Sequence, residues 1–160
     1  MAETQEKIEL LEKIAHQFNE AHIVWALGAS MLLYFKGITP EFHDIDLMIS
    51  TADVECVRAI LSEMGELQPP NPNSKYQTKV FMEFVIDGID VDVMAGFSIL
   101  SNGRLYDCSL DEEQIVERIM LGKELIPLQS PALWCEYYRL MDRKEKVQMI
   151  EQFLKTGKSK

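Results

Sequence analysis

Residues 22–50 read HIVWALGASMLLYFKGITPEFHDIDLMIS, and the fold turns on how this stretch is divided. The run from His22 to Leu27 is short, apolar and β-branched, as a buried strand requires, and Gly28 ends it. From Ala29 to Lys36 the residues suit a helix that starts at the glycine, and Gly37-Ile-Thr-Pro40 breaks it. Asp44-Ile-Asp-Leu-Met-Ile-Ser50 then reads as a second strand. The unit is strand, tight turn, helix, strand.

Working outward, Ile8, Leu11, Ile14 and Phe18 recur at helical spacing, which predicts an amphipathic helix over residues 3–20. On the other side, Thr51 to Met64 reads as a helix capped by Ser50 or Thr51. The stretch Gln68 to Ser74 holds three of the six prolines and reads as a loop or flap. Val80 to Ile86, Asp87-Gly88 and Ile89 to Met94 form a hairpin signal, because Asp-Gly suits the positive φ angles of a two-residue turn. Residues 104–110 add a further strand. Helices are expected over Asp111 to Met120, over Pro131 to Met141, and along the stripe Val147, Ile150 and Leu154. The expectation is an α/β (α+β) domain over residues 1–160, a mixed sheet flanked by helices with a helical tail over 111–160.

At 160 residues the chain fits one domain, and a hydrophobic fraction of 47% with 26% charged residues fits a folded core. Sixteen basic against 26 acidic side chains leave a net charge of −10, a field that repels phosphate backbones and argues against nonspecific nucleic-acid binding. Cys56, Cys108 and Cys135 are odd in number and lack CxxC spacing, so they read as reduced thiols rather than a disulfide framework or zinc site. The charged amino-terminal stretch has no signal-peptide core, and no apolar run is long enough to span a bilayer. A cytoplasmic protein with no membrane partner is expected.

Alternation along a strand puts Asp44 and Asp46 on one face, roughly 6–7 Å apart along the chain. Two such carboxylates can share a divalent cation, and the hairpin offers a third acid in Asp90 or Asp92, both on one face. Hard oxygen ligands of this kind suit Mg²⁺, one ion or two, which takes remaining ligands from substrate phosphates. The turn Gly28-Ala29-Ser30 lets backbone N–H groups approach a phosphate, and Ser30 adds a hydroxyl. His43 adjoins the aspartates and reads as a surface residue or a base. Trp25, Trp134, Tyr137 and Tyr138 read as core. Among the cations, Arg139, Arg143 or Lys144 are candidates to face a triphosphate, as are Lys75 and Lys79, whereas Lys155, Lys158 and Lys160 read as a solvated tail.

In this order, a strand ending in Gly-Ala-Ser, a helix, a strand carrying Asp44-Ile-Asp46 and a later strand with Val-Asp92-Val, the chain resembles the nucleotidyltransferase superfamily that includes DNA polymerase beta. The motifs cover residues 22–94, and the size is similar to small bacterial antibiotic nucleotidyltransferases and to abortive-infection and minimal-nucleotidyltransferase toxin–antitoxin proteins. The resemblance implies that Asp44, Asp46 and Asp92 bind metal and carry catalysis, and that Gly28 and Ser30 hold the triphosphate of an NTP. It implies Mg²⁺-dependent transfer of a nucleoside monophosphate to a hydroxyl acceptor that the sequence does not identify. Three positions depart from the family pattern: Ala29 follows the glycine, Pro40-Glu-Phe-His43 stands where an Arg is common, and Gln148 replaces an acid in the tail. They motivate the alternative of a binding or regulatory module, antitoxin-like, with weak or no catalysis. A homodimer or a toxin partner is compatible with either reading.

Overall fold

The computed structural model describes residues 3–70 and 78–156. Most of the proline-rich stretch, with Lys75, Lys158 and Lys160, lies outside them. In chain order the elements are α1 (Thr4–Glu20), β1 (Trp25–Gly28), α2 (Ala29–Phe35), β2 (Ile45–Ile49), α3 (Val54–Met64), β3 (Glu66–Leu67), β4 (Val80–Ile86), β5 (Ile89–Ala95), β6 (Ser98–Ser101), β7 (Arg104–Asp107), β8 (Glu117–Leu121), β9 (Glu124–Leu128), α4 (Pro131–Leu140) and α5 (Lys144–Lys155). A seven-stranded mixed sheet has the order β3-β4-β5-β2-β1-β9-β8, and β6 and β7 form a separate hairpin.

The centre of the sheet is β5-β2-β1, the strands that carry the acids and the glycine turn. The β2 strand runs antiparallel to β1 and parallel to β5. Ile45, Leu47 and Ile49 of β2 and Val91, Val93 and Ala95 of β5 are fully buried, as alternation requires of the face opposite the acids. Helix α1 buries Leu10, Leu11, Ile14, Ala15 and Phe18, and Phe18 meets Trp25 edge-on at 5.4 Å between ring centroids. The Trp25 indole N–H donates to Asn19 Oδ1, so this large ring is buried with its polar atom satisfied. Ser50 caps the turn of 3₁₀ helix over Thr51–Asp53, accepting from the Ala52 N–H, and Asp53 accepts from the Val24 N–H, which ties that turn back to the strand entrance. The Asp87-Gly88 turn has φ angles of 53° and 77°, as the hairpin reading requires.

One expectation is corrected. Residues 111–120 are not a helix: a capped 3₁₀ turn over Glu112–Gln114 leads into β8, which pairs antiparallel with β9. The helical part of the tail therefore starts at Pro131, where Ser130 caps α4 by accepting from the Leu133 N–H. Tertiary pairing overrides local propensity here, because β9 runs alongside β1 through Leu27 and Leu128, and β8 closes as its hairpin partner through Gly122, at φ +62°. The strand expected over 104–110 is present as β7, paired with β6 across a turn in which Asn102 and Gly103 both have positive φ.

Candidate functional site

Strand register builds the site. Gly28 of β1 is opposite Asp46 of β2, Asp46 is opposite Asp92 of β5, and Asp92 is opposite Glu83 of β4, so one row crosses four strands. Neighbouring strands lie about 4.8 Å apart, which brings Asp46 and Asp92 side by side on one face. Asp44 stands one residue before β2 and Asp90 lies one row along β5 from Asp92. Of the two acids the hairpin offers, Asp92 is the one that lines the cleft, whereas Asp90 is exposed at its margin.

The cleft has a volume of about 340 Å³. Asp44, Asp46 and Asp92 form its acidic side with His43 at the rim, and Ala29 and Ser30 border it from the start of α2. Arg143 and Lys146 come from the start of α5, and Phe81, Met94, Phe97, Trp134, Tyr138 and Met141 supply an apolar wall. The Lys146 Nζ donates to Ser30 Oγ at 3.5 Å, which puts a cation on the glycine turn. Burial, reinforced by the Arg143 charge, lowers the pKa of Lys146 from its ordinary value.

The carboxylates are mutually repelling and partly desolvated. Burial raises Asp46 well above the usual carboxylate range, with Asp92 and Asp44 adding repulsion. Asp92 is pushed up to about 7, first by burial and then by Asp44, Glu83 and Asp90. Asp44 is raised by burial and by Asp90, against the opposing charges of His43 and Lys7. None of the three makes a hydrogen bond or ion pair with another described residue. As the side chains stand, no group of three His, Cys, Asp or Glu among the described residues is close enough to hold a metal ion; the register aligns the backbones.

A consequence for stability follows. The folded chain retains a proton on Asp92 between pH of about 4 and about 7 that the unfolded chain has lost, so this group makes stability fall as pH rises through that window and level off above it. In chelator-containing buffer, Asp92→Asn is expected to be more stable than the parent at pH 8 by about 1–3 kcal/mol after allowance for solvent screening, and nearly equal to it at pH 4. Urea denaturation at the two pH values checks this. An equal gap at both would contradict it.

Gly28 has a packing role that its sequence context does not announce. A Cβ at this position would lie 2.6 Å from Cζ2 of the Trp134 indole. Trp134 is fixed there: its N–H donates to the buried Gln129 Oε1 at 2.7 Å, and Phe97, Tyr137 and Tyr138 surround its ring. Ala29, the next residue, sits at φ +55°, a conformation that favours glycine.

Of the expected cations, Arg143 lines the cleft, whereas Arg139 is ion-paired with Glu136 and Glu151, and Lys144 is exposed away from the lining. Lys79 packs against Gly96, and it is absent from the lining. Trp134 and Tyr138 are core, as expected, but also form cleft wall. Lys146 was not singled out; its spacing of three from Arg143 at the start of a helix, which puts both on one face, is the signal that finds it.

No family model matches the chain, and no curated protein matches it. Solved structures do. The Thermotoga maritima protein TM1012, provisionally described as a nucleotidyltransferase, superposes with a TM-score of 0.71 at 23% identity, over 97% of this chain and 96% of that one. The antibiotic-resistance factor ANT(2'')-Ia superposes with a TM-score of 0.67 at 13% identity, over 98% and 89%, and has also been solved with adenylyl-2''-tobramycin. The lincosamide antibiotic adenylyltransferase LnuA, lincomycin-bound, gives 0.61 at 13% identity, over 91% and 96%. The chain shares the fold of these structures, a mixed sheet flanked by helices. No helix among the described residues is long and apolar enough to cross a membrane.

Proposed function

We propose that the protein transfers a nucleoside monophosphate from an NTP to a hydroxyl acceptor, with Mg²⁺ as the metal. The observation that carries this reading is the pairing of Asp46 with Asp92 beside Asp44, facing a cleft in which Lys146 reaches Ser30. Asp44, Asp46 and Asp92 would hold one or two Mg²⁺ ions. When bound, the metal supplies charge neutralisation at the triphosphate and a more acidic attacking hydroxyl. The acceptor oxygen attacks the α-phosphorus, the bond from that phosphorus to the bridging oxygen of the β-phosphate breaks, and pyrophosphate leaves with the electron pair. Asp92 takes the acceptor's proton. Gly28 sets the turn that orients Ser30 toward the triphosphate, and Lys146 and Arg143 offset the charge that develops on pyrophosphate.

A second reading, a nucleotide-binding or antitoxin-like module without turnover, draws support from the Trp134 indole filling the space over Gly28. The readings separate in one assay: the full chain with Mg²⁺, each NTP labelled at the α-phosphate, and a panel of hydroxyl-bearing small molecules. Label transferred with matching release of pyrophosphate is the expected result. Nucleotide bound but never turned over with any acceptor would favour the second reading.

A further inference from the structure

Among the described residues three polar side chains are buried: Thr39, Ser98 and Gln129. Thr39 and Ser98 bond to carbonyls two residues away. Gln129, 1% exposed and directly after β9, instead joins separate elements. Its Oε1 accepts from the Trp134 indole at 2.7 Å, its Nε2 donates to Gln114 Oε1 at 3.2 Å, and its backbone N–H donates to the Leu27 carbonyl at 3.3 Å. We infer that Gln129 is a positioning residue for nucleotide binding, which holds the Gly28–Ser30 turn from two sides, through Leu27 directly and through Trp134 across Gly28. The inference rests on the nucleotidyl-transfer reading, in which that turn faces the triphosphate, and adds to it a residue outside the cleft lining.

The turn is held by its surroundings rather than by its own preference, since Ala29 sits at φ +55°, a conformation that disfavours a residue with a side chain. Trp134 is the neighbour that presses on it: a Cβ at Gly28 would lie 2.6 Å from the indole, so a shift of the ring is felt by the turn at once. The direction of the indole is in turn set by polar bonds. Gln129 takes its N–H, Gln114 bonds both Gln129 and the Tyr137 hydroxyl, and the Tyr137 ring meets the indole edge-on at 5.1 Å. A neutral amide accepts from the indole and donates to Gln114 at the same time, which neither a carboxylate nor an alkyl chain does. Without it the indole N–H is buried lacking an acceptor, a loss that the ring relieves by turning away from its place over Gly28. The bond to Leu27 is made by the backbone and survives a change of side chain, so a substitution at 129 isolates the route through Trp134.

The test uses the full chain with Mg²⁺ and a nonhydrolysable NTP, and reads nucleotide affinity by calorimetry, folding by urea denaturation and the two indole N–H resonances by NMR, assigned through Trp134→Phe. Gln129→Leu is expected to weaken nucleotide binding about tenfold or more and to move the Trp134 resonance while that of Trp25 stays in place. Asn19→Ala is the control, because it takes the acceptor from the Trp25 indole, the same chemical loss away from the cleft. It is expected to lower stability and to leave affinity within about twofold of the parent. Trp134→Phe should weaken binding as much as Gln129→Leu, and the double variant no further, since Gln129 acts through the indole. Gln114→Met breaks the same chain of bonds at a half-buried position and is expected to weaken binding about threefold or more. Unchanged affinity in Gln129→Leu, or in Gln114→Met where Gln129→Leu does not fold, would overturn the inference. So would a Trp134 resonance left in place, an equal loss in Asn19→Ala, or losses that multiply in the double variant, since Gln129 would then serve stability alone. In each of those cases the parent binds nucleotide and the transfer reading stands; a parent that binds no nucleotide would remove both.

Discussion

Asp46→Asn is expected to lower nucleotidyl transfer by about 10³-fold or more while leaving the fold intact, measured as α-labelled NTP turned over per enzyme. Asp46 occupies the centre of the row, between Gly28 on β1 and Asp92 on β5, with Asp44 two residues before it. In the proposed mechanism Asp46 is one of the three carboxylates that would hold the metal, and its amide would offer a neutral oxygen in place of a charged one. The amide is isosteric and neutral, which removes charge that burial and two neighbouring acids oppose in the folded state. The variant should therefore be no less stable than the parent. Activity lost together with stability would point instead to a structural role. Activity retained would remove Asp46 from the site.

Gly28→Ala is the second large effect. The added methyl would enter the Trp134 indole at 2.6 Å, and the ring cannot step aside without giving up its bond to Gln129 and its contacts with Phe97, Tyr137 and Tyr138. Overpacking of this kind costs about 1–3 kcal/mol, or about 5 °C in melting temperature for a chain of this size. A displaced indole would also reshape the cleft wall, so transfer should fall with stability. Trp134→Phe removes the atoms that crowd the new methyl. The double variant should therefore be more stable than the sum of the two single losses predicts. Strict additivity would contradict the packing account.

These two residues also show how far the sequence could be read. Strand alternation was enough to put Asp44 with Asp46 on one face of a strand and Asp90 with Asp92 on one face of another, because a period of two and a hairpin turn are local properties. Choosing between Asp92 and Asp90 was different: the spacing left both open, and what favours Asp92 is that it stands opposite Asp46 and lines the cleft, whereas Asp90 is exposed. The reason for Gly28 was equally hidden, since the indole that presses on it comes from a helix more than a hundred residues later. Lys146 reaches Ser30 across a similar separation. The misread segment, 111–120, carried no strong local signal in either direction, and pairing to β9 settled it. The Asn102-Gly103 turn of the β6–β7 hairpin, by contrast, carries a local two-residue turn signal, with both residues at positive φ.

The central claim is that the acidic row and the cation on the glycine turn form one nucleotide site. Calorimetric titration with each nonhydrolysable NTP, with and without Mg²⁺, for the parent chain and for Asp46→Asn tests it most directly. The account predicts binding to the parent that requires Mg²⁺ and is lost in Asp46→Asn. No binding to the parent at millimolar nucleotide, or binding indifferent to both Mg²⁺ and Asp46, would contradict it.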